Sequence, residues 1–156
     1  MVRRMNGFSL IELLMVICVL TLISAIATPS LLNWRSNAKL RGAVSNLKGD
    51  MELARLKAIQ VNDAVAIHFT TNGYRVFKDD GSTSGEHDPG EEIYGDRPLP
   101  AGVEIDLART TFEGVSARFF GRGTSRSGSA VLVNNNGTEK TVTVSSLGRI
   151  TISGND

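Results

Sequence analysis

From Leu13 to Trp34 the chain runs for 22 residues without a charged side chain, with Arg3 and Arg4 before the run and Arg35, Lys39 and Arg41 after it. At a helical rise of ~1.5 Å per residue this run spans roughly 33 Å, about one bilayer core. The short basic leader favours a cytoplasmic N-terminus, which leaves the C-terminal bulk outside the cytoplasm. A secretory signal peptide is the competing reading, with Arg3 and Arg4 as its basic region, Leu13–Ile26 as its apolar region and Ala25-Ile26-Ala27 as its cleavage site. Glu12 argues against that reading. A carboxylate at the head of an apolar stretch costs on the order of a few kcal/mol in lipid unless something neutralises it, and a discarded signal has no use for one.

The rest of the composition narrows the field. A chain of 156 residues can bury one modest core. Seventeen basic against sixteen acidic residues leave no global field to attract nucleic acid, and 41% apolar content excludes wholesale disorder. Cys18 is the only cysteine, so no intramolecular disulfide can form, and its place in the apolar run reads as a small buried hydrophobe. His68 and His87 are too few and too far apart for a metal site of their own. No G-x-S-x-G elbow, H-E-x-x-H, phosphate loop or Cys/His pair is present, and Ser125-Arg126-Ser127-Gly128 reads as a turn, so no catalytic activity is expected.

Beyond Pro29 the pattern becomes amphipathic. Leu40, Val44, Leu47, Met51, Ala54, Ala58 and Val61 form one apolar stripe, with Arg41, Ser45, Lys48, Glu52 and Arg55 on another face. The stripe predicts a helix packed on the protein's own sheet, with a seam for a partner helix as the alternative. After Asp63 the period falls to two. Strands are predicted at Ala64–Thr70, Tyr74–Lys78, Val103–Leu107, Val115–Phe120, Ala130–Asn134, Thr141–Ser145 and Arg149–Ile152. Asn72-Gly73 is expected to turn the first hairpin with positive φ, and Asn134-Asn135-Asn136-Gly137 is the clearest later turn. One long helix followed by strands gives an α+β fold with antiparallel sheet.

Gly7-Phe8-Ser9-Leu10-Ile11-Glu12 resembles the processing site of type IV prepilins and type II secretion pseudopilins. The resemblance implies that a prepilin peptidase cuts between Gly7 and Phe8 and methylates the new amino group of Phe8, taking the side-chain balance from +1 to −1 as Arg3 and Arg4 leave. It further implies that Glu12 meets the terminal amine of a neighbouring subunit, an ion pair in low dielectric that rewards correct register. Pro29 fits the same family, where a proline lets the helix bend or locally melt during assembly.

The remainder resembles the GspH/FimT family of minor pseudopilins and minor pilins, through Tyr74-Arg75-Val76-Phe77-Lys78-Asp79, the acidic stretch through Gly90-Glu91-Glu92, and Ser146-Leu147-Gly148-Arg149-Ile150. The implied layout is a leader at 1–7, a transmembrane segment at 8–34, an amphipathic helix at 35–62 and a β-rich domain at 63–156. The implied partners are other pilin or pseudopilin subunits, the prepilin peptidase, an inner-membrane assembly platform and membrane lipid. Major pilins usually carry a C-terminal disulfide loop, which a single cysteine cannot supply, so a minor subunit is favoured.

Two side-chain groups remain. Asp79, Asp80, Glu86, Asp88, Glu91, Glu92 and Asp96 fall within 18 residues containing no Lys or Arg. That stretch reads as a solvated, mobile loop, with calcium binding in 79–96 as the sharper alternative. Arg118, Arg122, Arg126 and Arg149 could contact phosphate if strands bring them together, and FimT-type proteins bind DNA during natural uptake. The family's terminal Gly-Arg-x-Arg pattern is met at Gly148 and Arg149 but not at Thr151.

Overall fold

The computed structural model describes residues 8–80 and 85–154, and the backbone alone at residues 26–29. Its elements are helix α1 (Leu10–Val61) and strands β1 (Val65–Thr70), β2 (Gly73–Lys78), β3 (Ile93–Pro98), β4 (Val103–Asp106), β5 (Ser116–Phe119), β6 (Gly128–Asn134), β7 (Glu139–Val144) and β8 (Ile150–Ser153). A short 3-10 helix, Glu113–Val115, precedes β5. The chain divides into two compact units, one ending at Arg35 and the other beginning at Ser36.

In the first unit the large apolar side chains between Leu10 and Ile23 all face outward, the least exposed being Val16 at 47%. Cys18 is exposed as well, which corrects its reading as a buried residue. The polar side chains here are turned back on the helix. Thr21 Oγ1 donates to the Cys18 carbonyl and Ser24 Oγ to the Leu20 carbonyl, each at 2.8 Å. Both hydroxyls are thereby satisfied without water, as a hydrocarbon environment demands. The helix is long and apolar enough to cross a membrane.

In the second unit the expected stripe is the buried one. Leu40, Val44, Leu47, Met51, Ala54 and Ala58 are buried, and Val61 packs against the same cluster. They meet two antiparallel sheets, one ordered β3-β2-β1-β5 and the other β4-β6-β7-β8. Val65, Ile67 and Phe69 of β1, Ala117 and Phe119 of β5, Val103 and Ile105 of β4, and Ala130, Leu132, Val142 and Val144 of β6 and β7 complete a single core. Phe112 closes one side by stacking on Phe69 at 5.5 Å between ring centroids.

Seven of the eight strands fall within one or two residues of their predicted bounds. The eighth, β3, corrects the reading of residues 79–96 as a solvated loop, because Ile93–Pro98 pairs antiparallel with β2 and forms an edge of the first sheet. The first hairpin differs too. Thr70 pairs with Gly73, so Thr71 and Asn72 make the turn, and neither Asn72 nor Gly73 has positive φ. Gly73 is required for another reason: a Cβ there would lie 2.6 Å from the Arg97 carbonyl oxygen of β3.

Candidate assembly surfaces

Phe8 precedes α1 and is 80% exposed. The Ser9 carbonyl accepts from the Glu12 and Leu13 amides at 3.1 and 3.2 Å, closing the first turn. Glu12 is in that turn, where the positive end of the helix dipole favours a carboxylate. Among the described residues no ion pair forms to it. Pro29 lies within α1, and Gly7 lies outside the described residues.

The arginines separate into two sets. Arg118 is only 14% exposed along its side chain and pairs with Asp79, while Arg126 pairs with Glu113 at the surface. Arg122 and Arg149 are exposed, in the turns that follow β5 and β7. Those turns abut. Arg55 of α1, which the sequence placed only on a polar helix face, donates from Nε to the Gly123 carbonyl at 2.8 Å and from Nη2 to the Leu147 carbonyl at 3.5 Å. Ser125 adds an amide bond to the Ser146 carbonyl at 3.0 Å and a hydroxyl bond to the Ser145 carbonyl at 2.6 Å. Gly148 sits between them at φ +75°, and a Cβ there would lie 2.4 Å from the Gly123 carbonyl oxygen. The turns that carry Arg122 and Arg149 are thus joined through Arg55 and Ser125, whereas Arg118 and Arg126 pair with carboxylates.

Part of the acidic stretch packs on the outer face of the first sheet, so the solvated reading fails at Asp79, which is buried, while Asp80, Glu86, Glu92 and Asp96 are exposed. Asp79 is 4% exposed; besides Arg118 it accepts the Gly85 amide at 3.2 Å. Ser116 on β5 donates to the Gly85 carbonyl and bonds the His68 ring at 2.9 Å. His87 stands edge-on to Phe77, centroids 5.4 Å apart, and Phe77 and Ala66 are fully buried on that outer face. Further carboxylates are held by neighbouring cations: Asp80 by Lys78, and Asp96 by Arg75 through two bonds of 2.6 and 3.2 Å. The hydrogen bond from Arg75 keeps the Asp96 carboxyl below its ordinary pKa. Among the described residues no three His, Cys, Asp or Glu side chains gather as a metal cage.

A cleft of about 310 Å³ opens between α1 and β3, lined by Leu53, Ala54, Leu56, Val76 and Tyr94. At one end Tyr74 donates to Asp50 at 2.7 Å, and Asp50 also receives Arg97 Nε at 3.3 Å. Burial first, and the Asp50 carboxylate second, raise the Tyr74 pKa above its ordinary value. The Lys57 ammonium lies 5.1 Å from the centre of the Tyr94 ring. Burial and the charge of Glu92 both push the Tyr94 hydroxyl pKa up. Leu53, Leu56 and Ile59 are exposed on the helix face turned from the core, a second apolar set that the single-stripe reading did not contain.

An apolar N-terminal helix, continuing into a helix packed on two antiparallel sheets, defines a pilin-like α+β protein. Residues 43–148 match the family model described as type II transport protein GspH. The chain belongs to the GspH family. Solved structures agree on the fold. The minor pseudopilin EpsH from the type 2 secretion system of Vibrio cholerae aligns with a TM-score of 0.55 at 11% identity, over 74% of this chain and 97% of that one. E. coli GspH aligns with a TM-score of 0.58 at 16% identity, over 76% and 89%. The Pseudomonas aeruginosa type IV minor pilin FimU gives 0.57 at 17% identity, over 77% and 92%. A comparison with curated protein sequences found no match.

Proposed function

We propose that this chain is a minor pseudopilin or minor pilin, a structural subunit that helps initiate or cap a filament for type II secretion or pilus assembly. In this reading α1 anchors it in a bacterial inner membrane with the second unit in the periplasm. The prepilin peptidase removes residues 1–7 and methylates Phe8, and the assembly platform then moves the subunit from lipid into the filament. One observation carries the proposal: Glu12 opens an apolar, outward-facing helix with no counter-ion among the described residues. A carboxylate at that depth needs an external cation, and the amine freed at Phe8 of an adjoining copy supplies one.

Mass spectrometry of the mature protein from cells containing a prepilin peptidase tests the first step. A methylated Phe8 terminus is expected, whereas a terminus at Thr28 would refute the reading. Glu12→Gln is expected to leave the subunit in the membrane and lower its incorporation into filaments at least about tenfold, the scale of losing one charge pair in low dielectric. Incorporation at the wild-type level would reject the role given to Glu12.

A second reading, a FimT-like DNA-binding subunit, is favoured by the joining through Arg55 of the two turns that carry the exposed Arg122 and Arg149. Band-shift assays across a salt series, on wild type and Arg149→Ala, separate the two. DNA affinity that falls steeply with salt, and weakens in the variant, supports uptake. Binding that is absent or indifferent to salt eliminates it.

A further inference from the structure

We propose that the open edge of the second sheet, strand β8 with Arg149 before it, docks an extended acidic segment of a partner polypeptide as a further antiparallel strand. The inference goes beyond the filament-subunit reading and does not depend on it.

Two four-stranded sheets present four edges, and three of them are closed or guarded. On β4 the outward amides of Val103 and Ile105 already bond the Pro100 and Thr71 carbonyls at 3.0 and 2.9 Å. Along β5 the following segment folds back, with the Arg126 amide on the Arg118 carbonyl at 3.2 Å and the Phe120 amide on the Thr124 carbonyl at 2.9 Å. β3 is guarded as edge strands usually are: Pro98 has no N–H to offer, the register shifts between Val76 and Phe77 opposite it, and Asp96 and Arg97 are charged.

β8 has none of these devices. Ile150-Thr151-Ile152-Ser153 is uncharged, regular in its pairing with β7 and rich in β-branched residues. The Ser145 amide bonds the Arg149 carbonyl at 3.0 Å. By the alternation of an antiparallel ladder, Thr151 and Ser153 then bond β7, while the N–H and C=O of Ile150 and Ile152 point outward. Among the described residues no backbone group outside the sheet meets those four. Ile152 is 41% exposed on the face where Ile150 packs against the core, so apolar surface also runs out to this edge.

Two features fix the occupant. Only an extended chain offers donors and acceptors at the spacing of Ile150 and Ile152, and the stronger antiparallel sense brings its C-terminal end to Arg149. Arg149 is exposed, with no ion pair among the described residues, and β8 itself holds no acid. A second copy pairing β8 to β8 would leave Arg149 without a counter-charge. A partner strand with apolar residues beside Ile152 and a carboxylate near its C-terminal end supplies one. The new strand lies beside β8 rather than over it, so one copy takes one strand, the contact does not propagate, and Thr143 and Thr151 keep their open face.

The test uses the full mature chain in detergent micelles, one chain per micelle, and a synthetic peptide of alternating valine and threonine with a single C-terminal aspartate. Solvent exchange at the Ile150 and Ile152 amides is read by NMR on protein labelled at isoleucine. Both are expected to exchange freely without peptide and about tenfold more slowly at about 1 mM peptide, which corresponds to a Kd on the order of 0.1 mM. The same peptide N-methylated at the amides facing β8 should give no slowing, because it keeps every side chain and loses the backbone bonds. Arg149→Glu should weaken binding about fivefold, and a peptide with lysine in place of the aspartate should recover it. The proposal is overturned by no slowing, by slowing that survives N-methylation, or by equal binding of the two peptides to Arg149→Glu. Protection that grows with protein concentration alone gives the edge to a second copy and overturns it as well.

Discussion

Asp79→Ala tests directly whether the acidic stretch belongs to the folded body. The carboxylate side chain is 1% exposed and faces an Arg118 side chain that is 14% exposed. Removing it strands the guanidinium in a poorly hydrated place and takes the acceptor from the buried Gly85 amide. Breaking one half of a buried pair costs roughly 3–5 kcal/mol, and the orphaned amide is part of that sum rather than an addition to it. For a folded unit of this size each kcal/mol moves the melting midpoint by about 3–4 °C, so Tm should fall by about 9–20 °C. Thermal unfolding followed by circular dichroism at the strand signal, on the full chain in detergent micelles, reads this directly. Asp79→Leu combined with Arg118→Met should recover most of the loss, giving a coupling of about 2–4 kcal/mol, since an apolar pair of similar volume replaces the ionic one at little cost. A loss below about 1 kcal/mol for Asp79→Ala would refute the argument, and so would an effect that mostly vanishes in 1 M salt, the mark of a solvated surface pair.

Two further predictions concern pH and backbone. The Tyr74 pKa is raised by folding, so the folded chain holds that proton more tightly than the unfolded one. Its contribution is complete below the ordinary value of 10.0 and is lost as pH rises beyond it. Tyr74→Phe should cost about 1 kcal/mol at neutral pH and flatten the alkaline decline in unfolding midpoint, whereas an unchanged alkaline slope would assign that decline to another group. Gly148→Ala should destabilise by about 2–4 kcal/mol, combining positive φ with the approach to the Gly123 carbonyl. Gly49→Ala, with open space where its Cβ would go, should stabilise α1 by up to about 1 kcal/mol, and chemical denaturation that ranks the pair the other way would contradict the geometry.

The fold was legible wherever periodicity carried the information. The Leu40-to-Val61 stripe fixed the buried helix face, and Val65-Ala66-Ile67-His68-Phe69 read as a strand because all of its residues except His68 are β-branched or apolar. β3 was not legible. Ile93-Tyr94-Gly95-Asp96-Arg97-Pro98 mixes one glycine, one proline and two charges, the marks of a loop, and it pairs only because an edge strand tolerates all four. The same composition hid the burial of Asp79, since no local pattern announces that a distant Arg118 will meet it. For the assembly surfaces, Phe8 and Glu12 stand out in sequence as a compact motif. The meeting of the turns that carry Arg122 and Arg149 depends on Arg55, 67 positions from the first and 94 from the second in the numbering, and only tertiary folding supplies that. Leu147 stood in sequence only within the Ser146–Ile150 resemblance, and nothing there announced its exposure.

The two sheets differ in one respect that matters for anyone altering this molecule. Residues 85–92 lie against the far side of the sheet built on β1 and β2, so Ala66 and Phe77 are sealed there as thoroughly as the interior. The β6–β7–β8 sheet keeps Thr143 and Thr151 open to solvent. A fluorophore, affinity handle or glycan attached to those threonines meets only water, while the same attachment at Ala66 or Phe77 has to pry off a covering segment first. Labels for watching the subunit at work belong on the bare sheet.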